Sequence, residues 1–286
     1  MITVALALSG ALAYGISDFL GGLASRRIRP LVATAWAALF GIVPLLVGLL
    51  VLGGRFTADA VLWGVVAGLA GSIGVLFLYT ALAIGPMSVL SPVTSVVAVV
   101  IPIAVALLFA GSRLSWIGTA AIVTAVIAVA LVSTAKDPSG ARLTTRGLIA
   151  AGIGGCGFGG LVLAYSATSP DDGLAPLVVA RVVQTIVMWA GVAVVSWRGG
   201  KGGSGRVPWL LLAICGTVDA AANVLIQAAL HTGAAATTLP VVSVLNALYP
   251  IGTVILAAVV LRERLSRLQL TGLALALASS AVLASL

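Results

Sequence analysis

Residues 85–102 read GPMSVLSPVTSVVAVVIP, and residues 233–250 read GAAATTLPVVSVLNALYP. Gly85, Pro92, Ser95 and Pro102 recur as Gly233, Pro240, Ser243 and Pro250, each 148 positions later. Proline removes a helical hydrogen bond and crowds the carbonyl four residues earlier, so Pro92, Pro102, Pro240 and Pro250 are read as helix breaks. Both stretches lie inside long apolar segments. Two breaks repeated at matching depth mark an internal duplication.

The surrounding composition sets the solvent. The chain is 61% hydrophobic and 8% charged, with a mean hydropathy of +1.25. Soluble domains carry about 25% charged residues. A water-soluble fold of 286 residues could not cover its surface from so small a polar supply. The expectation is an all-α integral membrane protein in the cell membrane, with the lipid bilayer as its partner.

Runs of about 20 apolar residues read as membrane-spanning helices. Ten fit: 2–24, 31–53, 60–84, 86–110, 115–134, 145–167, 174–197, 208–230, 234–260 and 266–285. The polar link 136–146 divides them into two five-helix repeats, 1–135 and 147–286. Pro30 and Trp63 have counterparts in Pro176 and Trp209, which extends the duplication outward. An odd number of spans per repeat forces the halves into opposite orientations, the inverted arrangement of many secondary transporters.

Loop charges test that topology. Links after the odd-numbered spans carry twelve Lys and Arg residues, whereas the other side carries only Arg55 and Arg113. The excess places the odd links in the cytoplasm and both termini outside it. The same distribution argues against nucleic-acid binding, because the basic residues are scattered along short links rather than gathered on one face.

Two acidic residues, Asp18 and Asp219, and one basic residue, Arg181, stand well inside spans rather than in links or at span ends. Each costs about 2.5–3.5 kcal/mol at a helix centre, so such residues face an interior or a wet cavity. Asp219, Asn223 and Gln227 follow at four-residue steps and share one helical face. Arg181 lies about 10 Å deep and Asp219 about 16 Å from the same membrane face, a gap an arginine can bridge. Arg181 therefore either pairs with Asp219 or meets a carboxylate or phosphate of a substrate, with Gln184 and Thr185 on the neighbouring turn. Asp18 has no basic partner at its depth. A buried unpaired carboxylate tends to be neutral, which makes Asp18 the candidate carrier of a coupling proton; a plain hydrogen-bonded acid is the alternative.

The expected substrate lining is Tyr14, Tyr79, Ser95, Arg181, Gln184, Asp219, Asn223, Asn246 and Tyr249, with Asp18 for proton coupling. Glycines 152, 154, 155, 157, 159 and 160 crowd the sixth span and read as close helix packing. Cys156, Cys215 and the lone His231 form no metal cluster, and neither a metal nor a cofactor is expected. Two alternatives compete with transport: an intramembrane enzyme, which would need Asp18 and Asp219 to meet, and a membrane scaffold that moves nothing. Nothing here separates a monomer from a homodimer.

These features resemble the drug/metabolite transporter superfamily, in particular its EamA-like members. The likeness rests on the ten spans in two repeats, on Gly10-Ala-Leu-Ala-Tyr14, on the paired proline segments and on Pro176 followed by Arg181. Arg262-Glu263-Arg264-Leu265 also fits, with Arg262 where a glycine is usual; Gly111-Ser112-Arg113-Leu114 carries serine where glutamate is common. The resemblance implies a bundle around a central cavity that moves small metabolites or xenobiotics, coupled to protons or to exchange. It also implies cytoplasmic termini, opposite to the loop charges.

Overall fold

The computed structural model describes residues 2–109, 116–117, 120, 123–124, 127, 143–198, 206–232, 242, 245–246, 248–262 and 267–284. Among these the chain is helical. Four helices precede the central link: α1 (Ile2–Ser25), α2 (Pro30–Leu52), α3 (Ala58–Ile84) and α4 (Met87–Phe109). Five follow it: α5 (Thr145–Ser166), α6 (Ala175–Trp197), α7 (Trp209–Leu230), α8 (Tyr249–Val260) and α9 (Arg267–Ala284). The expected fifth span lies almost wholly outside the described residues, and so do Pro240 and Ser243 of the ninth.

Backbone groups inside lipid have no water to bond, so only self-satisfied segments can cross it. Among the described residues, six helices are long and apolar enough to do so: α1, α2, α3, α5, α6 and α7. Their exteriors are greasy. On α2, Val43, Val47, Leu50 and Val51 point outward, with Leu50 87% exposed. The interior keeps the polar side chains Ser17, Thr34, Ser72, Ser91, Thr94, Gln184 and Thr253 buried among apolar ones such as Ala67, Leu78 and Leu90. Large apolar side chains turned outward, with polar ones held inside, are what a bilayer, and not water, selects.

The expected breaks at Pro92 and Pro102 are corrected by the backbone. Helix α4 continues through both, as α2 continues through Pro44. A proline in a membrane helix forfeits one hydrogen bond, whereas unwinding would forfeit several with nothing to replace them. Pro250 differs, standing in the first turn of α8, where its missing N–H costs no intrahelical bond.

The two halves interleave. The broadest packing pairs α3 with α5, α1 with α7, α4 with α5, α3 with α6 and α2 with α7, each one helix from either half. Helix α5 lies between α3 and α4 because its glycines face both. A side-chain carbon on Gly157 would strike Ala70 O at 2.7 Å, and one on Gly155 would strike Thr94 O at 2.6 Å. Without side chains at these positions the helix backbones approach closely.

A clasp closes one end of the bundle. Gly54 and Gly173 form an antiparallel bridge, with Arg55 N–H donating to Asp172 O (3.1 Å) and Leu174 N–H to Gly53 O (3.2 Å). Both Gly53 (φ 79°) and Gly173 (φ 54°) adopt the left-handed backbone the turns need. Asp172 accepts from Thr57 Oγ1 (2.8 Å) and from Ser169 N–H (3.0 Å), and Gln227 Nε2 donates to Gly173 O (2.9 Å). At the opposite end Arg26 donates to Leu82 O (3.1 Å) and Gly85 O (3.0 Å), a cation on the C-terminal carbonyls of α3.

Candidate functional site

A small cavity of ≈ 40 Å³, walled by apolar and polar side chains, lies between the interleaved helices. Its walls come from both halves: Tyr14 of α1, Leu45 of α2, Gly68 and Gly71 of α3, then Phe158 and Tyr165 of α5, Arg181 and Gln184 of α6, and Asp219 and Asn223 of α7. Leu45 lies seven residues before the end of α2, which puts the cavity about 10 Å below the clasp.

Arg181 organises the site. Its side chain is 8% exposed, and Nη2 donates to Asp219 Oδ2 in a salt bridge between α6 and α7. Nη1 donates to Gln184 Oε1 (2.9 Å), while Gln184 Nε2 reaches Gly71 O on α3 (3.4 Å). Asn223 Nδ2 donates to Asp219 O (2.8 Å) and lies 3.4 Å from Asp219 Oδ2. A guanidinium has five N–H donors, and Asp219 and Gln184 engage one nitrogen each. Burial of an ion pair is tolerated only when such extra hydrogen bonds surround it.

Local sequence explains the placement. Arg181, Gln184 and Thr185 occupy adjacent turns of α6, and Thr185 Oγ1 folds back onto Arg181 O (2.8 Å). Helices α2 and α7 meet at glycines, which lets α7 carry Asp219 close to the guanidinium. A carbon on Gly41 would lie 3.0 Å from Gly216 O and 3.2 Å from Arg181 Cζ.

Of the residues singled out from sequence, Tyr14, Arg181, Gln184, Asp219 and Asn223 share this cavity. The others lie elsewhere. Tyr79 is 2% exposed in the core, its hydroxyl 3.1 Å from Cys215 Sγ and its ring against Gly21. Ser95 is buried on α4, Asn246 precedes α8 and Tyr249 opens it, all outside the cavity walls. Asp18 is 5% exposed and is not among the cavity walls. Gln227 extends the stripe of α7 to the clasp.

Tyr165, Phe158 and Leu161 of α5 complete the cavity and were not singled out from sequence. Their positions, 158, 161 and 165, follow helical spacing on one face, yet apolar and aromatic residues in a glycine-rich span signal packing as readily as a site. Cys215 joins three helices: Ser17 Oγ donates to its carbonyl (3.1 Å), and its thiol meets Tyr79.

Comparison with known proteins agrees with the fold. The EamA-like transporter family matches residues 1–134 and again residues 146–285. A crystal structure of a protein that is 17% identical superposes with a TM-score of 0.62, covering 97% of this chain and 96% of that one. No curated protein matches the chain.

Proposed function

The chain belongs to the EamA-like transporter family, and from that premise we propose that it is a secondary active transporter. It moves a small metabolite or drug-like solute across the cell membrane by alternating access. The family is one of transporters rather than enzymes. The single observation that supports the reading is the buried Arg181–Asp219 pair in the wall of a cavity shared by both halves. A solute bearing a carboxylate or phosphate competes with Asp219 for the guanidinium, whose fork geometry suits either anion. Gln184 and Asn223 supply neutral polar contacts, and Tyr14 and Tyr165 supply aromatic walls.

The family's match to each half supports the duplication, and the odd span count makes the repeats inverted in this proposal. The loop charges put the clasp of Gly53–Arg55 and Asp172–Leu174 on the outer side. In this arrangement the clasp is shut and must part for outward opening. Uptake into reconstituted vesicles, with a panel of carboxylates, phosphate esters, zwitterions and neutral analogues, tests the reading. We expect transport confined to solutes with an anionic group and abolished in Arg181→Gln. Transport of neutral or cationic solutes alone, or wild-type uptake by Arg181→Gln, refutes it.

A further inference from the structure

Asp18 is not among the walls of the substrate cavity; it lies on the stretch of α1 that crosses α8, and α8 packs in turn on α4. It is 5% exposed, and no described residue hydrogen-bonds its carboxylate or pairs with it. Its direction is set by the crossing of α1 and α8. Thr253 Oγ1 donates to Gly15 O (3.0 Å), and a carbon on Gly15 would lie 2.9 Å from Gly252 Cα. Asp18 is three residues beyond Gly15 on α1 and Tyr249 is one turn before Thr253 on α8, so each faces the other helix near this crossing. Tyr249 lies in the electrostatic field of Asp18, and Ser95 of α4 is within reach of its hydroxyl.

The oxygens there are under-used. Tyr249 Oη, Ser91 Oγ and Asn246 Oδ1 are buried atoms that make no hydrogen bond of normal geometry. Ser91 is one turn before Ser95 on α4, and Asn246 is three residues before Tyr249. Buried polar atoms without partners are rare and ask for an explanation. A proton on Asp18 would neutralise the carboxylate and supply a single O–H donor, too few for the three oxygens.

We propose that Asp18, Ser91, Ser95, Asn246 and Tyr249 form a sodium site, distinct from the Arg181 cavity. The donors are all oxygen, which suits a hard cation and not a soft metal. One carboxylate among neutral oxygens balances a single positive charge. Among the described residues no three His, Cys, Asp or Glu gather to hold a divalent ion. Interrupted helices near the bilayer midplane are where coupling ions bind in other transporters, and α8 begins within this cluster. Asp219 is the charged group in the field of Asp18, and it is already paired with Arg181. The two sites also touch through the backbone: Ser17, beside Asp18, donates to Cys215 O, one turn before Asp219. Sodium at Asp18 cancels the repulsion that Asp18 exerts on Asp219, which links ion binding to the cavity.

The test needs no organic solute. Purified protein near neutral pH is titrated with NaCl against choline chloride at constant ionic strength, following Tm and binding of radioactive sodium. A ligand that binds only the folded state raises Tm saturably. We expect that rise with NaCl and not with KCl, and its loss in Asp18→Asn. Tyr249→Phe and Asn246→Ala weaken sodium binding about tenfold each, the size of one lost oxygen contact. Absence of sodium binding to the wild type overturns the proposal, as does unchanged binding in Asp18→Asn. Stabilisation by acid that sodium cannot replace also overturns it and assigns Asp18 a proton instead. The proposal rests on the transporter reading only for its role in coupling. A negative result therefore leaves the Arg181 cavity to its own uptake test.

Discussion

Removing the carboxylate of Asp219 isolates a guanidinium whose side chain is 8% exposed. Breaking a buried ion pair by deleting one partner costs about 3–5 kcal/mol, because the remaining charge is neither hydrated nor paired. Gln184 Oε1, at 2.9 Å from Nη1, stays as one acceptor, so Asp219→Ala should lose about 4 kcal/mol. In Asp219→Asn an amide oxygen still accepts from Nη2, and a hydrogen bond to a charged group contributes about 2 kcal/mol. That variant should lose about half as much. Replacing both partners with apolar side chains, Arg181→Met with Asp219→Leu, should return stability to within about 1 kcal/mol of wild type. None of the three variants should transport. Denaturant unfolding in mixed micelles, read by tryptophan fluorescence, gives the stabilities, and vesicle uptake gives the function. A loss below about 1 kcal/mol in Asp219→Ala would mean the pair is not buried and charged. A double variant that is stable and still carries solute would show that the pair only holds the bundle together.

Three further outcomes follow from the packing and the links. Gly157→Leu forces a side chain into the backbone of α3 and should cost at least about 1–3 kcal/mol, while Gly152→Leu, with nothing within 4 Å, should stay within about 0.5 kcal/mol of wild type; folded yield after purification compares them. Arg262 holds φ 55° just past α8, a conformation costing a side-chain-bearing residue about 1–2 kcal/mol, so Arg262→Gly should raise unfolding stability by about 1 kcal/mol. Burial at the end of α7 holds the His231 imidazole below its ordinary value of 6.5. Its contribution is therefore present above pH 6.5 and is lost as pH falls through the lowered folded value. His231→Gln should blunt that part of the acid sensitivity of Tm.

The left-handed backbone at Arg262 also explains a departure visible in the sequence. The family's usual glycine at this position needs no side-chain tolerance, whereas arginine here accepts strain. In return it places a cation at the C-terminal carbonyls of α8, where the helix dipole favours it.

Transfer of a side chain from water to lipid is a local quantity. Hydropathy along the chain therefore displayed the helices, their approximate ends and the cost of Asp18, Arg181 and Asp219 within them. Rise per residue is also local, which is why depth alone brought Arg181 within reach of Asp219. Azimuth and neighbours are not local. They depend on which small residues let which backbones close, as Gly41 does with Gly216 and Gly157 with Gly74. Those contacts turn Tyr79 away to Cys215, keep Ser95 and Tyr249 out of the Arg181 cavity, and bring Tyr165 and Phe158 into it. Pro92 and Pro102 could not reveal from sequence that α4 runs on through them, because that balance depends on a lipid surround offering no substitute hydrogen bonds.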